Sequence, residues 1–240
     1  MRTDADALDA RELLAWALEA FHPKLALACS FQKEEAVLLD LLFELEPDAR
    51  VFALDTGVLF PETYEVWRAA EERYGTVIEA WRGEWVEGLR ASDPAHCCHL
   101  RKVEPLGRAL APLDAWITGL RREQWASRAN IRKVEIDHEH GGLAKINPLA
   151  DWTIEEVWDY IRHWDVPVHP LYEKGFTSIG CAPCTRATAE GEDARAGRWW
   201  WETNAPKECG IHCPLETGGF EHEIEAILHR GALHAVGDRK

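Results

Sequence analysis

Four of the seven cysteines in this 240-residue chain fall between residues 178 and 213. They sit in S-I-G-C-A-P-C-T-R and in K-E-C-G-I-H-C, joined by an Arg-flanked spacer ending in R-W-W-W-E. A further pair, Cys97 and Cys98, lies far upstream in P-A-H-C-C-H-L-R-K. Thiolates are soft ligands, so Cys97, Cys98, Cys181 and Cys184 form a candidate soft-metal site. Zinc is commonly held by C-x-x-C pairs. A tandem Cys-Cys is awkward for a tetrahedral ion, and four thiolates also suit a [4Fe–4S] cluster. His96 and His99 are substitute ligands on one reading and surface residues on the plainer one. Cys209 stands apart as a reactive thiol carried on a tail, with His212 three residues on. Cys213 is either a resolving partner for Cys209 or inert, and we favour inert.

Composition bounds what these thiols serve. The chain is long enough for one α/β domain with a sizeable core. Its 46% hydrophobic and 29% charged residues are ordinary for a globular protein. No apolar run approaches a membrane span, and the acidic N-terminus carries no signal-peptide core. A cytoplasmic location follows as the expectation, and there cysteines read as metal-binding or catalytic groups rather than as disulfides. A net charge of −15 disfavours nucleic acid. A small anionic substrate remains compatible if the few cations converge.

Positioning falls to an alternating pattern. An amphipathic helix carrying Leu8, Leu13, Leu14, Ala17 and Leu18, capped by Asp4 or Asp6 and ended by Pro23, precedes a buried strand over 24–29. Ser30-Phe31-Gln32-Lys33 leads into a helix over 34–45. A strand over 50–54, the turn Asp55-Thr56-Gly57, a helix over 62–74 and strands over 76–80 and 114–119 follow. A hairpin over 134–137 and 143–146 turns across Gly141-Gly142. A helix over 154–164 and a last amphipathic helix over 220–229 complete the chain. Strands alternating with helices argue for an α/β fold with a mostly parallel, doubly wound sheet. Ligands of such sheets sit beyond the carboxyl ends of the strands, which sets the loops 30–33, 54–57 and 119–122 along one rim. Each loop alone is an ordinary turn. Together they suggest an anion cradle.

The motifs C-C-x-x-R-K, W-I-T-G-x-R-R-x-Q, S-I-G-C-x-P-C-T-R, and R-x-G-R-W-W-W-E followed by K-E-C-G-I-H resemble, in that order, the assimilatory adenylyl-sulfate reductase family. S-F at Ser30-Phe31 and L-D-T-G-x-L-F-P-E-T from Leu54 match its nucleotide loops. The resemblance runs from about residue 25 to residue 212. It implies a fold related to the PP-loop adenine-nucleotide enzymes, with a reductase domain over 1–205 and a catalytic tail over 206–240. It also implies a [4Fe–4S] cluster on Cys97, Cys98, Cys181 and Cys184. The implied reaction reduces adenosine 5′-phosphosulfate to sulfite and AMP, with thioredoxin or glutaredoxin as reductant. Cys209 would be the nucleophile, with His212 and Lys102 beside it. Arg195 and Arg198, spaced i, i+3 on one helical side, would join Lys102 on the phosphosulfate. Ser30, Leu54 and Gly119 would contact the nucleotide.

Family members with all four cysteines generally prefer adenylyl sulfate, so that substrate is expected here. The 3′-phosphorylated form, or both, is the alternative. The first loop bears on the choice: it reads S-F-Q-K-E-E where relatives usually carry a small residue after Phe31, and Lys33 adds a positive charge that would tolerate a 3′-phosphate. A non-catalytic zinc module leaves Cys209 and the rim loops unexplained. A PP-loop ATPase would want glycines that 30–33 lacks. Oligomeric state is left open, with a homo-oligomer compatible.

Overall fold

The computed structural model describes residues 5–202 and Ile211. The expected tail helix, the 205/206 boundary, Cys209, His212 and Cys213 lie outside the described residues.

Helix α1 (Ala10–Phe21) buries Leu13, Leu14 and Ala17. Its N-cap is Asp9 and not the expected Asp4 or Asp6. Reciprocal capping explains the shift: Glu12 N–H donates to Asp9 Oδ1 at 2.8 Å, and Asp9 N–H donates to Glu12 Oε2 at 2.9 Å. Neither Asp4 nor Asp6 has a Glu three residues on. Strand β1 (Leu25–Ala28) and helix α2 (Lys33–Leu45) form the first β–α unit, and β2 (Arg50–Leu54) with α3 (Pro61–Tyr74) the second. Strand β3 (Glu79–Trp81) begins later than the sequence suggests. Gly75, at φ 64°, ends α3, and the amide of Ile78 is taken by Glu71 Oε1 at 2.9 Å. Pairing to β2 therefore starts only at Glu79.

Two short helices, α4 (Leu89–Ser92) and α5 (Pro94–Cys98), lead through a π-helical turn at His99–Val103 into α6 (Glu104–Leu110). Strand β4 (Ala115–Ile117) follows, then β5 (Val134–Asp137) and β6 (Leu143–Ile146), then α7 (Ile154–His163). The expected hairpin forms, with Gly141 and Gly142 at φ 86° and 81°, a conformation that glycine adopts at little steric cost.

The strand order is β3-β2-β1-β4-β6-β5, parallel throughout except where β5 runs antiparallel to β6. Both faces are covered, so the central strands lack the polar alternation of a half-exposed sheet. Leu25, Leu27, Val51, Ala53 and Ile117 pack on one face with Leu13, Val37 and Leu42. Ala26, Phe52 and Trp116 face the other way, onto Leu106 and Leu110 of α6. The chain leaves β1 toward β2 on one side, while β4 lies on its other side. That arrangement opens a crevice at the carboxyl ends of β1 and β4. No helix among the described residues is long and apolar enough to cross a membrane.

Candidate active site

A cleft of about 510 Å³ opens at that crevice. Ser30, Leu54 and Gly119, each from a different strand end, all line it. The three loops expected on one rim therefore meet around one cavity. Phe31 holds the first loop in place: it is buried, has φ 60°, and stacks on Trp67 with ring centres 5.0 Å apart. A non-glycine residue in that region is strained and persists only where packing enforces it.

Ser30 does not cap α2. The residue preceding the helix is Gln32, and its side chain turns away to accept the Ile179 amide at 2.8 Å. The S-F loop is thereby tied to the S-I-G-C segment across the cleft. Ser30 Oγ instead donates to Glu35 Oε2 at 2.9 Å. Lys33 is also occupied within the fold. Its ammonium donates to the Thr177 carbonyl at 3.1 Å, lies 3.7 Å from Glu34, and sits 5.0 Å over the Tyr172 ring.

Beneath this loop, Arg121 pairs with Glu34 at 3.1 Å, both side chains being 4% exposed. Burial opposes the Glu34 charge, but Lys33 and Arg121 hold its carboxyl below the usual range. Gln124 completes the layer by donating to the Gly119 carbonyl at 2.9 Å and accepting from the Arg121 amide at 3.1 Å. Removing one partner of such a pair strands a buried charge. We expect Arg121→Met to destabilise the protein by about 3–5 kcal/mol, read as a lower denaturation midpoint at unchanged slope.

All four candidate metal ligands, Cys97, Cys98, Cys181 and Cys184, line a second, smaller cavity of about 20 Å³. Vicinal cysteines can share it because α5 and the π turn present residues 94, 97, 98, 101 and 102 as one stripe, at i, i+3, i+4, i+7 and i+8. Cys181-x-x-Cys184 is held on both flanks. The Ala182 amide donates to Val58 O at 2.8 Å, and the Trp199 amide donates to Cys184 O at 3.1 Å. Cys181 Sγ lies 3.3 Å from Thr56 Oγ1. Burial pushes the Cys184 thiol up, and Cys181 and Cys97 add to this against Arg90 and Lys102. The sulfurs surround the cavity without closing on one point. Among the described residues, no group of three His, Cys, Asp or Glu side chains is arranged to hold a metal ion. What the structure shows is a four-thiol pocket, not a formed ligand shell. His96 and His99 lie beside this pocket, ring to ring, and do not line it.

Lys102 is buried and lines both cavities, so it stands between the thiols and the cleft. Arg195 and Arg198 also line the cleft, and both are buried, at 8% and 5% exposure. The helix expected to carry them does not form. Residues 197–199 instead lie along 184–186, with Thr185 bridged to Arg198 and the Arg186 amide donating to Gly197 O at 3.0 Å. Turns at Asp193–Ala196 and Arg195–Arg198 bring the two arginines inward. Arg198 donates to Ser178 Oγ at 3.2 Å, and its Nε is buried without a hydrogen-bond partner. Its guanidinium occupies the space where a Cβ on Gly180 would fall, 2.4 Å from Nη2. The glycine of S-I-G-C is there to admit the arginine.

Ile211 also lines the cleft and packs against the Phe52–Trp116 cluster. Residues that the sequence reading passed over are Glu34, Glu35 and Arg128, which all line the cleft as well. Only W-I-T-G-x-R-R-x-Q hinted at the Arg121–Gln124 layer.

Comparison with known proteins places this arrangement. The phosphoadenosine phosphosulfate reductase domain model matches residues 24–187. The adenosine 5′-phosphosulfate reductase of Burkholderia cepacia is 44% identical over 226 residues, covering 89% of this chain and 88% of the relative. Its namesake from Allochromatium vinosum is 48% identical over 198 residues, 77% of each chain. The crystal structure of phosphoadenylyl-sulfate reductase from Candida auris, a phosphate complex, superposes with a TM-score of 0.68 at 28% identity, covering 76% of this chain and 92% of that one. With its mostly parallel, PP-loop-like sheet and a family match over well more than half its length, the chain belongs to the phosphoadenosine phosphosulfate reductase domain family.

Proposed function

We propose that this protein is a thioredoxin- or glutaredoxin-dependent adenylyl-sulfate reductase of sulfate assimilation, releasing sulfite and AMP. The observation that carries the reading is the convergence of Lys102, Arg195 and Arg198 on a cleft that adjoins a four-cysteine cavity. Three cations in a chain of net charge −15 make a local anion site. Arg198 Nε, buried without a partner, leaves a donor for an anionic ligand. The relatives at 44% and 48% identity bear the adenylyl-sulfate name, while one from Gloeobacter violaceus at 43% bears that of the 3′-phosphorylated substrate; the first two support adenylyl sulfate as the substrate to test first.

In this reading Ser30, Leu54 and Gly119 hold the nucleotide, and the cations hold the phosphosulfate. The Cys209 thiolate attacks the sulfur of the sulfate group. An S–S bond forms, the S–O bond to the phosphate breaks, and AMP leaves. The product on the enzyme is S-sulfocysteine. A thiolate of the reductant then attacks Cys209 Sγ, expels sulfite with the S–S electron pair, and leaves a mixed disulfide that the reductant's second thiol resolves. His212 would hold the thiolate or the phosphosulfate. Ile211, placed between Cys209 and His212 in sequence and lining the cleft, supports delivery of that segment to the substrate. A tail is suited to both steps, since the same cysteine must meet first a buried nucleotide and then a protein.

The donor set fits a [4Fe–4S] group better than zinc: four thiols, two of them adjacent, line one cavity with Arg90, Arg101 and Lys102. When bound, it orders the site and shapes its field, while the two electrons come from the dithiol. We expect metal analysis of anaerobically purified protein to give about four irons per chain and no stoichiometric zinc. One zinc and no iron would remove this assignment.

The activity test is anaerobic sulfite release from adenylyl sulfate and its 3′-phospho form in parallel, with thioredoxin supplied. Turnover of adenylyl sulfate is the expected result, and no sulfite from either substrate by iron-loaded protein would sink the reading. A Cβ on Gly119 would lie 2.5 Å from Glu35 Oε1. Gly119→Ala therefore displaces one wall of the nucleotide site, and we expect kcat/KM to fall about 10- to 100-fold, mostly in KM.

A further inference from the structure

Glu35 is a carboxyl in the cleft that the reaction described above does not use. It lines the cavity beside Ser30 and Gly119. Its Oε2 accepts from Ser30 Oγ at 2.9 Å, and its Oε1 lies directly over Gly119, in the space a side chain there would need. The cations nearby are committed elsewhere. Arg121 pairs with Glu34 at 3.1 Å, and Lys33 is held by Glu34 and the Thr177 carbonyl. Among the described residues Glu35 makes no ion pair, and Ser30 is its hydrogen-bond partner. Facing it are Glu34 and Lys33 from α2, Cys29 and Ser30 from the β1 loop, Gly119 from the β4 loop, and Tyr172. Burial, and then Glu34, push its carboxyl up to about 7.

The cleft has two kinds of wall. The one shared with the cysteines carries Lys102, and Arg198 joins it from beside Ser178. The other, at the ends of β1 and β4, presents backbone, Ser30 and this carboxyl, its cations being engaged by neighbours: Lys33 and Arg121 lie against Glu34, and Arg128 donates to Gln124. A phosphosulfate belongs on the first, which leaves the nucleoside on the second. A carboxylate beside a ribose accepts from its hydroxyls and repels a phosphate on them, the logic by which dinucleotide folds tell a free ribose hydroxyl from a phosphorylated one.

We propose that Glu35 is a specificity-determining residue that accepts from the ribose of the bound nucleotide and turns away a 3′-phosphate. The inference rests on the cleft being the adenine-nucleotide site. The extra lysine in the loop lies against Glu34 and the Thr177 carbonyl and is not paired with Glu35.

Equilibrium binding of AMP and of adenosine 3′,5′-bisphosphate to the iron-loaded full chain at about pH 8, where a carboxyl raised to about 7 is mostly ionised, tests this without turnover. The wild type should bind AMP the more tightly. Glu35→Gln, which keeps an acceptor for Ser30, should narrow the ratio of the two affinities by about tenfold or more. The ratio of kcat/KM values for the two phosphosulfates should shift the same way. Thermal unfolding checks that the variant is folded, and Glu35→Ala takes its place if it is not. A folded variant with an unchanged ratio overturns the inference, as does a wild type that binds both nucleotides equally; each leaves the reductase reading standing. A wild type that binds neither nucleotide takes the proposed function down with it.

Discussion

Cys209→Ser is expected to lower sulfite release by about 10³-fold or more, to background, while nucleotide binding persists. A hydroxyl is a far weaker nucleophile than a thiolate at neutral pH. Even if it were sulfated, the product would be a sulfate ester with no S–S bond for a dithiol to attack. The loss should therefore appear in kcat, with the affinity for AMP little changed. Mass spectrometry gives a second readout. Wild-type protein given adenylyl sulfate without reductant should gain one SO₃ group on the peptide containing Cys209, and thioredoxin should remove it. A Cys209→Ser protein that still released sulfite would assign the chemistry to another thiol, with Cys213 the nearest in sequence.

The second large effect is expected at Lys102. This side chain is buried and faces both the cleft and the cysteine cavity, so its charge acts where solvent screening is weak. Its sequence position, four residues after Cys98, places it on the same helical stripe as the thiols. Lys102→Met keeps most of the volume and removes the cation. We expect kcat/KM for adenylyl sulfate to fall about 10²- to 10³-fold, the usual cost of losing one preorganised group that stabilises developing charge. Iron content should be retained, because the four thiols are untouched. Arg198 cannot substitute for it, since its guanidinium is fixed over Gly180 and against Ser178. The comparison separates two roles. A variant that keeps iron and loses rate identifies Lys102 as a substrate contact, whereas joint loss of iron and rate would make it a support of the cysteine pocket.

The pocket beneath the cleft shows why chemistry and stability are joined here. Arg121 and Glu34 form a buried pair under the loop, Gln124 links that pair to Gly119, and Gly119 meets Glu35. A substitution meant to alter specificity at Glu35 thus sits one residue from a pair whose loss costs stability. For that reason Glu35→Gln, which preserves the Ser30 contact, separates the two effects better than a charge reversal.

Much of this was legible before any coordinates. Alternating β and α patterns, turn residues and cysteine spacing carry their information locally, over a few residues, and so predicted the mostly parallel sheet, the rim loops and the four-cysteine set. The family motifs added the reaction. What local signals could not supply were features made by contacts between distant segments. The cap of α1 moved to Asp9 because Glu12 completes a reciprocal pair. The arginine pair lies on turns rather than on a helix, because 197–199 is pinned along 184–186. Lys33 looked like a spare positive charge in the first nucleotide loop, until Glu34 and Thr177 were found to hold it. Glu35 carried no signal in the sequence, and only the approach of β4, with a glycine at the contact, made it a carboxyl inside the cleft. Sequence by itself determined which residue types were available for the chemistry, because thiols, cations and glycines declare their type and spacing. Tertiary structure alone decided which charges are neutralised and which are left facing a ligand, because that depends on burial and on partners more than eighty residues away in the chain, as Arg121 is from Glu34.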